Sequence, residues 1–326
     1  MVITLFVIFF FRKSILLLLF LLLSSAHAEN YFGIQTMEEA FAISTLMSDS
    51  EALTFGFINF DLNVDSQGFG SEDTVKLKNS IDVITIPYTW YLDSKSTAWS
   101  HALTLRASYI KTKRDHDFDD INGEFQENTF GVYGSYSQFF NVTKHWYLES
   151  GLGLHVSYYE NTYDYGSNVS DEVQHELDKV IFNVSTLALI IEPEMGIGYR
   201  KAQNWGRWKV YNGTNYIYGH GIAGSYKNPG SINPEGWRLS NGAEFSINVP
   251  ELWGVHDFLA IDFKRIDVFG DLEGMAEKGH YYETSLGWVI DTNNQIPFLD
   301  NFGIGLSFNY GSSISGGTVV LYYNEE

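Results

Sequence analysis

His155 and Ser157 lie two residues apart, with Asn161 close behind. On a β-strand that spacing puts both side chains on one face, where an imidazole can activate a hydroxyl nucleophile for hydrolysis. The plainer reading is a pair of polar residues on the wet face of a strand. A second candidate is Asp115-His-Asp-Phe-Asp-Asp120, whose carboxylates suit a divalent cation. A helix–loop–helix calcium site needs Gly at its sixth position and Glu at its twelfth. Asp120 and Gln126 stand there, so that motif fails and a solvated acidic loop with loosely held divalent cations remains. Arg106 and Glu149 form a third candidate. They are charges set in apolar alternation, suited to line a pore or to pair with each other inside one. The chain has no cysteine, which removes thiolate metal sites, thiol nucleophiles and disulfides. No residue is assigned a catalytic role, and no metal or other cofactor is expected.

All of these residues sit on segments of alternating character. Trp99, Leu103, Leu105, Ala107 and Tyr109 alternate with Ser100, Thr104, Arg106 and Ser108. Trp146, Leu148, Leu152, Leu154, Val156 and Tyr158 alternate with Tyr147, Glu149, Gly151, Gly153, His155 and Ser157. Successive side chains on a strand face opposite ways, so each segment has one apolar face and one polar or small one. The pattern returns over residues 302–310 and, after a Gly/Ser turn, over residues 318–323.

Alternation alone fits a soluble sandwich as well as a membrane barrel. The rest of the chain decides for the barrel. About twelve such segments occur, and short turns alternate with long polar loops, the pattern of outer-membrane barrels. There are 21 Tyr and 24 Phe but 6 Pro. Six of the 8 Trp (Trp90, Trp99, Trp146, Trp205, Trp208 and Trp253) fall beside the short turns, as an aromatic girdle at one membrane interface requires. No apolar run after residue 23 approaches the roughly 20 residues of a membrane helix. The fold expected is therefore all-β, a transmembrane antiparallel barrel of about 12 strands. Its apolar faces meet lipid, and Asn59, Asp61, Arg106, Glu149, His155 and Ser157 line the lumen. In the first strand, residues 52–62, this reading turns Gly56 and Ile58 outward. The sixth strand, residues 179–200, is nearly uniformly apolar and interrupted by Pro193, so its register is not fixed.

Residues 1–28 read as an export signal, with Arg12 and Lys13 before an apolar run and Ala26-x-Ala28 as cleavage site. In residues 29–50, Met37, Ala40, Phe41 and Leu46 fall near helical spacing, which predicts a short helix over residues 36–48 capped by Thr36. One reading leaves it as a periplasmic tail. The other places it inside the barrel as a plug, with Glu38 and Glu39 meeting lumen cations. Residues 51–326 form the barrel domain. The net charge of −20 argues against nucleic-acid binding, which needs a cationic surface. The partners expected are outer-membrane lipid, lipopolysaccharide and the barrel assembly machinery.

With these elements in place, the chain resembles the translocator barrel of bacterial autotransporters. More narrowly, it is similar to the solitary autotransporter-like barrels of gammaproteobacteria, which lack a passenger. The likeness rests on twelve strands, a helix just before the first, Phe302-Gly-Ile-Gly-Leu306 in the penultimate strand and a terminal aromatic at Tyr323. It implies the outer membrane of a Gram-negative bacterium and a non-enzymatic barrel acting as a plugged scaffold or narrow, porin-like pore. Two departures bear on this. Cleavage after Ala28 leaves too little chain before the first strand for a passenger. Residues 36–48 also lack the Asn at which self-cutting autotransporters cleave. Two alternatives stay open. Acidic loops over residues 111–127 and 160–178 suit a surface adhesin. Outer-membrane phospholipases are also twelve-stranded and use His, Ser and Asn, but there the catalytic residues face lipid, whereas alternation puts His155 and Ser157 in the lumen.

Overall fold

The computed structural model describes residues 32–50, 52–58, 80–92, 96, 98–118, 121–165, 171–178, 181–252, 255–275, 279–296, 299–311 and 316–324. The export signal expected over residues 1–28, and the lumen positions expected for Asn59 and Asp61, lie outside these described residues. A helix α1 (Phe32–Met47) precedes strands β1 (Leu53–Ile58), β2 (Ser80–Leu92), β3 (Trp99–Phe118), β4 (Ile121–Asn141) and β5 (Trp146–Tyr165). A short helix α2 (Asp171–Leu177) leads into β6 (Ser185–Gln203) and β7 (Gly206–Gly224). Then come β8 (Glu235–Leu252), β9 (Val255–Gly270), β10 (His280–Ile296), β11 (Leu299–Tyr310) and β12 (Gly316–Tyr323). Each strand pairs antiparallel with its sequence neighbours, and β1 pairs with β12, closing a twelve-stranded barrel. Among the described residues no helix is long and apolar enough to cross a membrane.

The partition of side chains is inverted relative to a soluble protein. Leu152 is 59% exposed and Ile304 55%, while Arg106 is 7% exposed and His155 3%. Leu103, Leu105, Phe130, Val132, Leu154 and Val156 are likewise exposed on the outer face. Apolar groups are stable on an outer surface only against lipid, and a closed barrel leaves no backbone edge unpaired there. Alternation therefore maps directly onto the two faces of β3, β4 and β5, as expected. It maps onto β6 as well, where Ala188, Ile190 and Glu192 are buried and Leu189, Ile191 and Ile197 exposed.

The inner wall is tailored by Gly–Tyr pairs. The ring of Tyr133 on β4 lies over Gly153 of β5, and that of Tyr147 lies over Gly198 of β6. A Cβ at either glycine would meet the ring, so only glycine lets tyrosine lie flat against the wall.

Three expectations are corrected. Gly56 is buried and sits opposite Val83, so the inward and outward faces of β1 are the reverse of those read from the sequence. The sequence reads residues 111–127 as a loop, yet β3 and β4 stay in register from Trp99–Phe140 to Phe118–Ile121. Pairing past the lipid needs no apolar face, so charged alternation conceals it. The sequence likewise reads residues 160–178 as a loop, but β5 runs on to Tyr165 and α2 follows. Among the described residues the ladder is shortest at the closure. Among the described residues, β1 pairs with β12 from Leu53–Leu321 to Phe55–Val319 and again at Ile58–Gly317, and with β2 from Thr54–Thr85 to Gly56–Val83.

Candidate functional site

The interior is organised by α1. It starts at Phe32, four residues before the expected cap, so Thr36 lies within the helix. Ile34, Met37, Ala40, Phe41, Ala42, Ile43 and Leu46 are buried, which covers every side of the helix. A helix buried all round is one enclosed by its surroundings. It packs on Tyr159, Val184, Ala188 and Ile190 on one side and on Ile266, Val268, Leu272 and Tyr281 on another. Two of its hydroxyls are satisfied within the helix: Ser44 Oγ donates to the Phe41 carbonyl at 2.8 Å and Thr45 Oγ1 to that of Ala42 at 2.7 Å. Such back-bonding lets hydroxyls enter an apolar seat without orphaned donors. The N-terminal half faces the long-loop end, where Glu38 accepts a hydrogen bond from the Asn233 backbone N–H at 2.7 Å.

Below the helix, a chain of charges crosses the lumen. Arg106 Nη2 on β3 donates to Asp49 Oδ1 at 2.8 Å, and Arg238 Nη1 on β8 reaches Asp49 Oδ2 at 2.5 Å. Strands β3 and β8 stand five apart in a ring of twelve, so one carboxylate at the foot of α1 staples nearly opposite walls. Arg238 Nη2 also donates to Glu192 Oε1 on β6 at 3.1 Å, and Glu192 Oε2 meets His155 Nε2 on β5 at 2.7 Å. Asn215 Nδ2 adds a bond to Glu192 Oε1 at 3.0 Å. The Tyr133 ring lies between the two ends of this chain, 4.8 Å from the Arg106 guanidinium and 4.4 Å from the His155 ring. Nearby, Ser137 Oγ donates to Glu194 Oε1 at 2.5 Å.

Two charges on and just after α1 have shifted titrations. Burial alone would raise the Asp49 carboxyl, but Arg238 and Arg106 outweigh it and hold it well below the ordinary carboxylate range. Burial pushes Glu38 up to about 7, with Asp271 and Glu39 adding repulsion against the opposing pull of the Asn233 N–H. Both follow from the balance of desolvation and neighbouring charge.

The structure brings Arg106 and His155 into one network, though through Asp49, Arg238 and Glu192 rather than directly. Arg106 pairs with Asp49, so the expected Arg106–Glu149 pair does not form; Glu149 lies lower in the lumen, beside Gly196. Ser157 is buried, but the His155 imidazole turns to Glu192 and not to it. Asn161 is used structurally, accepting from the Val184 N–H at 3.1 Å and donating to the Ile181 carbonyl at 3.0 Å. Among the described residues, Glu38 and Glu39 meet no lumen cation. Glu38 takes a backbone N–H and Glu39 takes Gln35 Nε2 at 3.0 Å, while Asp49, just past the helix, holds both arginines.

A family model described as the solitary outer membrane autotransporter beta-barrel domain matches residues 38–325. The chain belongs to that family. This solitary autotransporter barrel is accordingly an outer-membrane protein. Among solved structures it is similar to the transport unit of the autotransporter AIDA-I from Escherichia coli, with a TM-score of 0.53 at 9% identity over 91% of this chain and 100% of that one. A likeness to the translocator domain of NalP from Neisseria meningitidis has a TM-score of 0.47 at 12% identity, over 90% of this chain and 98% of that one. No curated protein matches the sequence. For this barrel the sequence held a signal for Arg238, Glu192 and Glu194. Each is a charge on the inner face of a membrane strand, as Arg106 is. Asp49 has no such signal, since it belongs to no strand and follows the helix.

Proposed function

We propose that this barrel is a non-enzymatic plugged pore whose closed state is held by α1. The observation that carries the reading is the seat of α1, buried on every side in the lumen and anchored at its foot by Asp49 to Arg106 and Arg238. A buried charge pair of this kind specifies one arrangement more than it adds stability. Hydrolysis is disfavoured, because the His155 imidazole is committed to Glu192 and Ser157 is sealed from substrate. The test is single-channel conductance of the refolded barrel in a planar bilayer, with and without residues 29–48. A silent full-length barrel that becomes conducting on deletion supports the plug. A barrel that is silent in both forms refutes it.

A second reading, surface attachment, is favoured by the paired extension of β3 and β4 to Phe118–Ile121 and by the packed cluster of Phe125, Tyr163 and Phe182. Together they make a firm outer platform. If it binds matrix or host surfaces, replacing residues 111–127 by a short turn removes adhesion and leaves conductance unchanged.

A further inference from the structure

Beneath the staple lies a cavity of about 950 Å³, lined from Lys144 and Asn324 at the short-turn end up to Asp49, Arg106 and Arg238. Short turns mark the periplasmic end of such barrels. The chain carries 40 acids and 20 bases, yet 8 of those bases line this cavity against 5 of the acids. The charge balance of the molecule is therefore reversed inside it. A cleft of one sign with low-dielectric walls concentrates ions of the opposite sign.

The cations are not equally engaged. Lys209 is paired with Glu244 at 2.8 Å, and Lys264 with Asp262 at 3.2 Å. Nearer the mouth, Arg200 donates to the neutral Asn141 Oδ1 at 3.0 Å and rests 5.2 Å from the Tyr147 ring. Arg207 donates to Ser246 Oγ at 3.2 Å. Among the described residues neither has a carboxylate partner. At the roof, the buried Arg106 leaves its Nε without a hydrogen-bond partner among the described residues, a costly orphaned donor. The Asp49 side chain is 39% exposed although it sits deep in the barrel, because it borders this cavity. A solute in the cavity can thus reach both guanidiniums beside it.

We propose that this cavity is a binding site for a soluble multivalent oxyanion, a phosphate- or carboxylate-bearing solute of the periplasm, and that the bound anion competes with Asp49 for Arg106 and Arg238. Arg200 and Arg207 attract the anion at the mouth. At the roof it offers the guanidiniums the same charge-assisted bonds that Asp49 supplies. Displacing Asp49 frees the foot of α1. Only this last step rests on the plugged-pore reading.

The test is titration calorimetry of the full-length barrel in uncharged detergent, with inorganic pyrophosphate and citrate as probes and sodium chloride matched for ionic strength. The expected result is saturable one-to-one binding. Asp49→Asn, which removes the competitor, tightens it at least tenfold. The double change Arg200→Gln with Arg207→Gln weakens it at least fivefold and lowers its salt dependence. In bilayers, pyrophosphate on the short-turn side raises the opening rate of the full-length barrel. Non-saturable uptake, or equal affinity in wild type and Asp49→Asn, overturns the proposal. Binding that leaves opening unchanged, in a barrel that deletion of residues 29–48 does open, overturns the competition. If that deletion leaves the barrel closed while pyrophosphate still binds with the stated variant pattern, the plug reading fails and the anion site stands.

Discussion

Replacing Asp49 by Asn keeps the shape of the staple and removes its charge. The two guanidiniums do not suffer equally. Arg238 keeps Glu192 at 3.1 Å, whereas Arg106, which is 7% exposed, loses the one carboxylate it pairs with among the described residues. Removing one partner of a buried pair costs about 3–5 kcal/mol, chiefly through the charge left behind. The Asp49 side chain touches the cavity and is 39% exposed, so screening lowers the figure to about 2–3 kcal/mol. At about 1.4 kcal/mol per decade, the ratio of seated to unseated helix falls on the order of 30- to 150-fold. Hydrogen exchange of the α1 amides in micelles reads this ratio directly, because an enclosed helix exchanges only when it leaves its seat or frays. The double variant Asp49→Asn with Arg106→Leu, which removes the orphaned charge, regains most of the loss. A change of less than threefold in Asp49→Asn, or a double variant worse than the single, refutes the view that the staple seats the helix.

Three further outcomes follow from other parts of the molecule. Glu38 has its folded-state pKa raised to about 7 by burial, with Asp271 and Glu39 adding to the shift, so the seated helix binds that proton more tightly than a released one. The Glu38 contribution to seating is therefore greatest below about pH 4.5, weakens as pH rises towards 7 and is flat above, and Glu38→Gln removes this slope between pH 4.5 and 7 in the same exchange assay. Leu154→Arg places a charge on the lipid face at a site that is 47% exposed; it lowers barrel stability in urea titration by about 2–4 kcal/mol if the site is at mid-membrane. Gly153→Ala sets a methyl group against the Tyr133 ring, displaces it from Arg106 and His155, and speeds α1 exchange several-fold, while Gly213→Ala, where nothing lies near, is neutral.

What was legible in the sequence divides along physical lines. In β3, β4 and β5 one face meets lipid and the other meets polar lumen, so alternation writes the register into the residues. The first strand misleads because Gly56 carries no side chain to report its face, so the sequence alone turns this buried residue outward. The paired extension beyond Lys111 escapes notice because water on both sides imposes no apolar face. The lumen charges on strands were visible as exceptions to the apolar pattern. Their partners were not, since Arg106 is joined to a carboxylate 57 positions earlier in the chain, outside any periodic element. Helical spacing in residues 37–46 announces α1, but burial all round it, on which the plugged-pore proposal rests, depends on Tyr159, Ile190 and Val268 arriving from distant strands.

The short closure between β1 and β12 has a mechanical consequence. Among the described residues, the strand with the shortest ladder is also the one tethered to the foot of α1, a few residues after Asp49. Tension on the helix is thus delivered to that seam as well as, through the Asp49 contacts, to Arg106 on β3 and Arg238 on β8. Movement of α1 and strain in the closing seam of the cylinder are in this way coupled.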